Sequence, residues 1–384
     1  MKNTIILFLT ISIFISQNIK TQTLQELLQE KYTDVLFDEL LGKGGTGEIW
    51  GSSNSDLTIK GGSSLTQCEK IKKEFEIQNN FYETVKNYNG NFLKRVYILK
   101  PEKIIQNSDE NICAMEIPRL YPIKEELNKN LITQLHLGVK NKDLIEKADE
   151  DLIKGHSIGL EEFKKIINSY PQISPEKTNL EQAFADIGTL LGILHFKAKL
   201  DGLDTELCIV RKSPDANEYQ LTLLDFGMCK DLKKDFVNKK TNKIAKKIVR
   251  ALTIEPIFPN PITPEFNIFM QEYINIAKME NLENLAKTII LNFVGQQFLK
   301  NNIIKKYLMK KLNTRQSQSI QIKRLLPILY KWTKQTLISK IEPNYNISED
   351  EITNTLEKLI PKIIEEKEKQ NLDTMEKILI KKLK

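Results

Sequence analysis

Leu221-Thr-Leu-Leu-Asp225-Phe-Gly227 reads as a short buried strand that ends by projecting a carboxylate, then an aromatic ring, then a glycine. The apolar run is β-compatible and delivers Asp225 to a cleft wall, and Gly227 lets the backbone turn away without a Cβ clash. A carboxylate placed this way suits magnesium, which takes oxygen ligands. The tripeptide alone is common. Its weight comes from a stretch far upstream, Gly42-Lys-Gly44-Gly-Thr-Gly47-Glu-Ile-Trp50, followed by Asp56-Leu-Thr-Ile-Lys60.

Gly42, Gly44 and Gly47 fit G-x-G-x-x-G. In so glycine-rich a loop, backbone N–H groups can close over phosphate oxygens because no side chain holds the chain away. The plain alternative is a tight hairpin turn. A dinucleotide-binding loop would open a helix at its third glycine. Here Glu48-Ile-Trp50 runs instead into a Ser/Asn turn, Ser52 to Asp56, and another strand, so strand–loop–strand fits better. Upstream, Leu24 to Leu41 supply a short helix and then a strand, around Val35-Leu-Phe, that leads into the loop. Lys60 ends the strand after the loop and can reach phosphates beneath it. Cys68, Ile71, Phe75, Gln78 and Phe81 then recur at helical spacings. On that helix Glu74 is placed to turn inward and orient the Lys60 ammonium toward phosphates, with Glu76 as the fallback. Singly, each of these charges reads as exposed surface; their order is what points to function.

Phe92 to Leu99 and Asn111-Ile-Cys-Ala-Met115-Glu116-Ile-Pro118 read as two strands joined by a polar turn. Met115-Glu116, just before Pro118, has the character of a hinge whose backbone carbonyl and amide hold an adenine edge. From Leu131 the pattern becomes helical: Leu144 to Leu152, Leu160 to Ile167, a loop from Pro171 to Pro175, and a strong helix from Asn179 to Ala198. His195-Phe196 near its end reads as a packing pair rather than a catalytic base. Asp201-Gly-Leu-Asp204-Thr-Glu206 makes an acidic turn, Leu207 to Val210 a strand, and Arg211 to Tyr219 a hairpin tip before the strand of Asp225. A base and a second metal ligand would have to sit in that acidic turn.

After an extended loop from Pro256 to Pro264, a helix spans Glu265 to Met279, and helical spacing resumes at Leu285, Ile289 and Phe293 and again at Leu325, Leu329 and Trp332. Asn346-Ile-Ser348 caps a further helix from Glu349 to Glu368, with acids in its first turn.

The 384 residues exceed what one compact core needs, which predicts two lobes or a domain with an appendage. With 28% charged and 40% hydrophobic residues the composition is globular, which excludes a chain disordered throughout. The net charge of +7 arises from 57 basic and 50 acidic side chains, so most charges can pair or alternate on solvated faces. The basic clusters Lys233 to Lys247 and Lys305 to Arg315 carry few aromatics for stacking on bases, so a nucleic-acid partner is not expected. A basic helical nucleic-acid binder is a third reading, resting on the tail alone, and it predicts steeply salt-dependent binding.

Lys2 precedes the apolar run from Ile5 to Ile15, a positively flanked stretch of signal-peptide length and too short to span a bilayer. Residues 1–23 are therefore expected to be a signal peptide or short hydrophobic leader, although Phe14 spoils the small-x-small pattern for a cut after Ser16. No transmembrane span is expected after it. The chain belongs in the secretory pathway if the leader is a signal peptide, and otherwise in the cytoplasm. Asn346-Ile-Ser348 is also a glycosylation sequon. Cys68, Cys113, Cys208 and Cys229 include no Cys-x-x-Cys pair, and no zinc-finger spacing is present; all four read as free thiols.

The order of parts resembles the protein-kinase-like fold: glycine loop, strand lysine, helix glutamate, hinge, long helix, acidic loop, hairpin, Asp-Phe-Gly. The resemblance covers roughly Phe37 to Lys230. It implies an α+β, two-lobed fold, with a β-rich lobe over 24–117, a mostly helical lobe over 118–280, and 281–384 extending the second lobe with helices. It further implies ATP and magnesium as cofactors; zinc is not expected, because the sequence holds no zinc-ligand set. Gly42, Gly44, Gly47, Lys60, Glu74, Met115 and Glu116 would bind nucleotide, and Asp225 would hold magnesium. The chain departs from the family at His-Arg-Asp and the metal-binding Asn beyond it. Leu200-Asp201-Gly202 stands there, and Leu207 falls at the Asn position when Glu206-Leu-Cys-Ile-Val is aligned on the following strand. Either Asp201 is the base after an insertion, or Asp204 has taken over, or the step is lost; Glu206 could replace the missing Asn as a metal ligand.

A narrower resemblance is to a mainly fungal family of kinase-like domains of unknown function, often labelled "zinc finger protein". It rests on Leu191-Gly-Ile-Leu-His195-Phe-Lys-Ala198-Lys-Leu-Asp201-Gly-Leu-Asp204-Thr-Glu206, on Leu224-Asp225-Phe226, on Met115-Glu-Ile-Pro118 and on Phe258-Pro-Asn-Pro261. No convincing substrate-docking segment follows Asp225-Phe-Gly227, and Thr263-Pro-Glu265 only imitates one. The expectations are thus a phosphotransferase acting on an unidentified acceptor other than a protein, or a pseudokinase that binds nucleotide or a protein partner.

Overall fold

The structure, a computed structural model, describes residues 22–88, 92–107, 111–121, 180–216, 220–254, 264–301 and 350. The leader, the helices expected at Leu144 to Leu152, Leu160 to Ile167 and Leu325 onward, and the sequon lie outside the described residues. The fold is mixed α+β and divides into two units. Of the described residues, 22–79, 99–107, 111–121 and 212–214 belong to the first and the others to the second, so the stretch around 80–98 joins the second unit.

The first unit is an antiparallel sheet with a helix on each face. Helix α1 (Leu24–Lys31) opens with a capping box in which the Thr23 side chain accepts from the Glu26 amide at 3.2 Å and Glu26 accepts from the Thr23 amide at 2.8 Å. Strands β1 (Glu39–Gly44), β2 (Gly47–Gly51) and β3 (Leu57–Gly62) follow, then helix α2 (Leu65–Val85), β4 (Lys103–Gln106) and β5 (Cys113–Pro118), in sheet order β1-β2-β3-β5-β4. Strand β1 begins at Glu39, later than the Val35-Leu-Phe run suggests.

The period-two alternation of strands sorts β3 and β5 cleanly. Ile59 and Ala114 face α1, where Leu24, Leu27 and Leu28 form its apolar stripe. Cys113 and Met115 face α2 and pack with Cys68 and Ile71. There the reading of four free thiols is corrected: Cys68 and Cys113 form a disulfide, with Cα atoms 5.5 Å apart, and only Cys208 and Cys229 are free, both buried. Sequence spacing could not show this, because a helix and a strand 45 residues apart supply the partners. In chain-entropy terms, closing a loop of that length contributes about 4 kcal/mol.

In the second unit the strand expected over Phe92 to Leu99 is instead a helical turn, α3 (Phe92–Arg95), followed by a single bridge from Val96 to Leu221. The Val96 amide donates to the Phe92 carbonyl at 3.0 Å, which closes a helical turn, and Phe92 and Val96 are both buried; a spacing of four falls on one face of a strand or of a helix, so the pattern alone does not separate them. Helix α4 (Leu180–Gly192) continues into a wide turn, Ile193–Lys197, of π-helical type, in which the Ala198 amide reaches back to the Ile193 carbonyl at 2.9 Å. Strands β6 (Glu206–Val210) and β7 (Gln220–Leu224) form an antiparallel ribbon.

Helices α5 (Lys233–Val237), α6 (Thr241–Ile254), α7 (Pro264–Met279) and α8 (Glu283–Asn301) complete the described part. Leu285, Ile289 and Phe293 are buried, as their spacing predicts. Helix α6 buries Ile244, Ala245, Ile248, Val249 and Leu252 and leaves Lys243 and Lys247 on Asp235, at 2.8 and 2.7 Å. Those two hydrogen-bonded ammonium groups hold the Asp235 carboxyl down at about 2. Among the described residues, no helix is long and apolar enough to cross a membrane.

Candidate functional site

In the first unit, β1 and β2 meet with Lys43 opposite Glu48 and Gly44 opposite Gly47, which makes the glycine stretch a hairpin with Gly45-Thr46 at its tip. Gly47 has an internal reason to be glycine: its φ is +145°, and a Cβ there would stand 2.1 Å from the Gly61 carbonyl oxygen on β3. No such reason applies to Gly42, whose nearest neighbour would be Ile49 at 3.8 Å, or to Gly45, which has nothing within 4 Å. Packing within the chain therefore explains the third glycine of the motif and not the first.

Lys60 lies inside β3, opposite Ile49 on β2 and Met115 on β5, and is buried. Its Nζ stands 2.7 Å from Oε1 of Glu74, itself buried on α2. The period-two alternation of β3 turns Lys60 toward the helix, and the helical spacing of Cys68, Ile71 and Phe75 turns Glu74 toward the sheet. Two charges removed from water at this depth persist only as a pair. Glu76, the fallback partner, is exposed.

Met115 and Glu116 sit within the sheet ladder rather than in a connector. The Glu116 carbonyl accepts from the Glu102 amide at 2.9 Å, so it is engaged by the sheet. The Glu116 carboxylate accepts from the Tyr32 hydroxyl and pairs with Lys103 at 3.3 Å, on the α1 side. Burial, with Glu116 beside it, raises the Tyr32 phenol far above its ordinary range. Glu116 thus anchors the chain that leaves α1.

In the second unit, Asp225 follows β7 in a left-handed conformation, φ +56°, and its Oδ1 lies 3.4 Å from the Gly227 amide. Phe226 is buried against Phe81, the ring centroids 5.4 Å apart. Glu206 stands opposite Leu224 on the ribbon, so the carboxylates of Glu206 and Asp225 leave from the same end of β6 and β7. Asp204 precedes them in a left-handed turn, φ +67°.

Asp201 is buried, and its Oδ1 accepts from the Leu203 amide at 3.2 Å and the Lys230 amide at 2.8 Å. It therefore ties the acidic turn to the segment after Asp-Phe-Gly. Burial raises its carboxyl above the usual range, and the two amides oppose that shift. His195, in the π-helical turn, is fully buried with Nδ1 2.8 Å from the Tyr273 hydroxyl, and burial pushes its imidazole down to about 3. A Cβ on Gly202 would come within 3.2 Å of its Nε2. The ring is packed against Tyr273 and Phe196, with centroids 5.6 and 6.3 Å away, in keeping with a packing pair.

Among the described residues, no group of three or more His, Cys, Asp or Glu gathers to hold a metal. Magnesium asks for less, since it binds through one or two carboxylates completed by water and substrate phosphate. Glu206 and Asp225, the ligands expected from the sequence, lie at one end of the β6–β7 ribbon. Sequence reasoning missed a charged pair of structural weight: Arg95 Nε and Nη2 meet both Asp186 oxygens, at 2.7 and 2.9 Å. The signal was present, because Asp186 falls among the buried positions Ala183, Phe184 and Ile187 of α4. No protein-family model matches the chain, and no curated protein matches it significantly.

Proposed function

We propose that the chain is a divergent kinase-like protein that binds ATP with magnesium. The observation that carries the reading is the buried Lys60–Glu74 pair, which fixes an ammonium on the strand next to a glycine hairpin. In this reading Lys60 binds phosphate, the hairpin of Gly42, Gly44 and Gly47 covers it with backbone amides, and Glu74 orients Lys60. Asp225, with Glu206, holds magnesium, which would neutralise charge on the phosphates. Met115 and Glu116 shape the adenine side of the site through the strand they form. The two-lobed kinase-like architecture belongs to the same proposal.

A second reading, a pseudokinase that binds nucleotide or a protein partner without transferring phosphate, draws support from Asp201. Its carboxylate already accepts two backbone amides, which competes with service as a base and leaves Asp204 to orient an acceptor hydroxyl. The acceptor would be a small molecule rather than a protein. The disulfide supports maturation in an oxidising compartment, in accord with a secretory leader.

Thermal unfolding with and without ATP and magnesium tests nucleotide binding. At a hundred times its Kd a ligand adds about 2.7 kcal/mol, visible as a rise in midpoint. Lys60→Met is expected to abolish the rise and Asp225→Asn to remove its magnesium-dependent part. No rise at millimolar ATP would overturn the reading. Phosphate release that vanishes in Asp204→Asn would favour transfer over the pseudokinase.

A further inference from the structure

We infer that the Cys68–Cys113 disulfide is a positioning device for the Lys60–Glu74 pair: it pins the start of α2 to β5 so that Glu74 stays seated on Lys60. Cys113 pairs with Gly62 across β3 and β5, and Lys60 pairs with Met115, two residues along each strand. Cys68 precedes Glu74 by six residues on one helix, about 9 Å along its axis. Bond and ion pair therefore lie on the same face of the same two strands, under the same helix.

At that end of α2 the strand beneath the helix ends in glycine. The helix rides on Gly62, where even a Cβ would meet Gln67 at 2.9 Å and Ile71 at 3.1 Å. Glycine brings the backbones close but supplies no side chain to grip the helix. The covalent bond supplies that attachment, and Ile71 and Met115 close over it. Both sulfurs belong to fully buried residues, so the bond is a permanent fixture of the oxidised chain and not an exposed switch. Its consequence for ATP rests on the nucleotide reading above; its effect on Lys60 does not.

Lysine acetylation of the full-length chain by an N-hydroxysuccinimide ester, followed residue by residue by mass spectrometry, tests this without nucleotide. Lys43, 71% exposed in its side chain, is the internal reference. In Cys68→Ala/Cys113→Ala the ratio of Lys60 to Lys43 rates is expected to rise by about tenfold, because a freed helix end opens more often. Glu74→Gln with the disulfide intact sets the rate of Lys60 in the absence of the Glu74 charge. Buried Cys208 and Cys229 stay unreactive to iodoacetamide if the second unit remains folded.

An unchanged Lys60 ratio in a folded double variant overturns the inference. Should that variant unfold, Cys68→Ala/Cys113→Val refills the volume and the same ratio decides. If both unfold, the bond staples the whole unit and the specific role is overturned. Failure of the nucleotide reading shows separately, as no ATP-dependent rise in midpoint in the wild type, and leaves the Lys60 ratio as the test of the disulfide's role.

Discussion

Gly188 on α4 lies so close to Phe269 on α7 that a Cβ added to it would stand 2.2 Å from the Phe269 carbonyl oxygen. One turn on, a Cβ on Gly192 would meet the Ile276 Cβ at 2.8 Å, so two glycines four apart let the helices touch along their backbones. The obstacle at Gly188 is main chain, which cannot rotate aside. Gly188→Ala is expected to cost about 1–3 kcal/mol by overpacking, read as a lowered unfolding midpoint. Gly45→Ala, with nothing within 4 Å, is the control and should leave the midpoint nearly unchanged.

The fork of Arg95 onto Asp186 predicts a graded series. The Asp186 side chain is 3% exposed, so removing its partner leaves a carboxylate buried. Arg95→Met is expected to cost about 3–5 kcal/mol in denaturant unfolding. Arg95→Lys keeps the charge but offers a point contact in place of two parallel N–H bonds, and should fall between that variant and wild type. Equal losses for the two would show that the fork geometry and not the charge carries the pair, whereas an Arg95→Lys as stable as wild type would show that charge alone matters.

His195 predicts an acid-sensitive core. Its folded value of about 3 lies below the ordinary 6.5, so between those limits the unfolded chain binds the extra proton. Its stabilising contribution is complete above the unfolded value and is lost as pH falls toward the folded one, by up to about 1.4 kcal/mol per pH unit. Tyr273 faces the ring as a neutral phenol, raised well above its usual range by burial. Asp201, raised by burial, works in the opposite sense over the carboxylate range, so the difference between wild type and His195→Gln isolates the histidine. Stability measured from pH 7 to 4 should fall less steeply in the variant.

Local pattern carried much of this architecture. The alternation of β3 and the helical spacing of α2 were enough to bring Lys60 and Glu74 together, because each period fixes a face before tertiary structure is known. The ribbon of β6 and β7 was equally legible, since apolar runs flanked a turn. Local pattern leaves open a disulfide pairing between distant elements and a stretch whose even spacing suits strand and helix alike. Cys68 and Cys113 carry no spacing rule, and Phe92 to Leu99 looked β-compatible until a helical turn buried Phe92 and Val96 together. The acidic turn marks Asp201 as a candidate for chemistry, while the Lys230 amide that it accepts comes from 29 residues away and carries no local signal.

The Lys60–Glu74 pair separates stability from function. With both side chains under a tenth exposed, Lys60→Met alone leaves Glu74 without its ammonium and should cost about 3–5 kcal/mol. Replacing both partners with apolar residues of similar volume, Lys60→Met/Glu74→Leu, removes the desolvation penalty of both charges. Such replacements are often neutral or stabilising, so the double variant should unfold near or above the wild-type midpoint. If the pair served the fold alone, nothing else would be lost. On the nucleotide reading the stable double variant also loses its response to ATP and magnesium, because the ammonium that meets phosphate has gone. A double variant that keeps the response would place phosphate binding elsewhere, whereas one that loses stability would assign the pair to the fold.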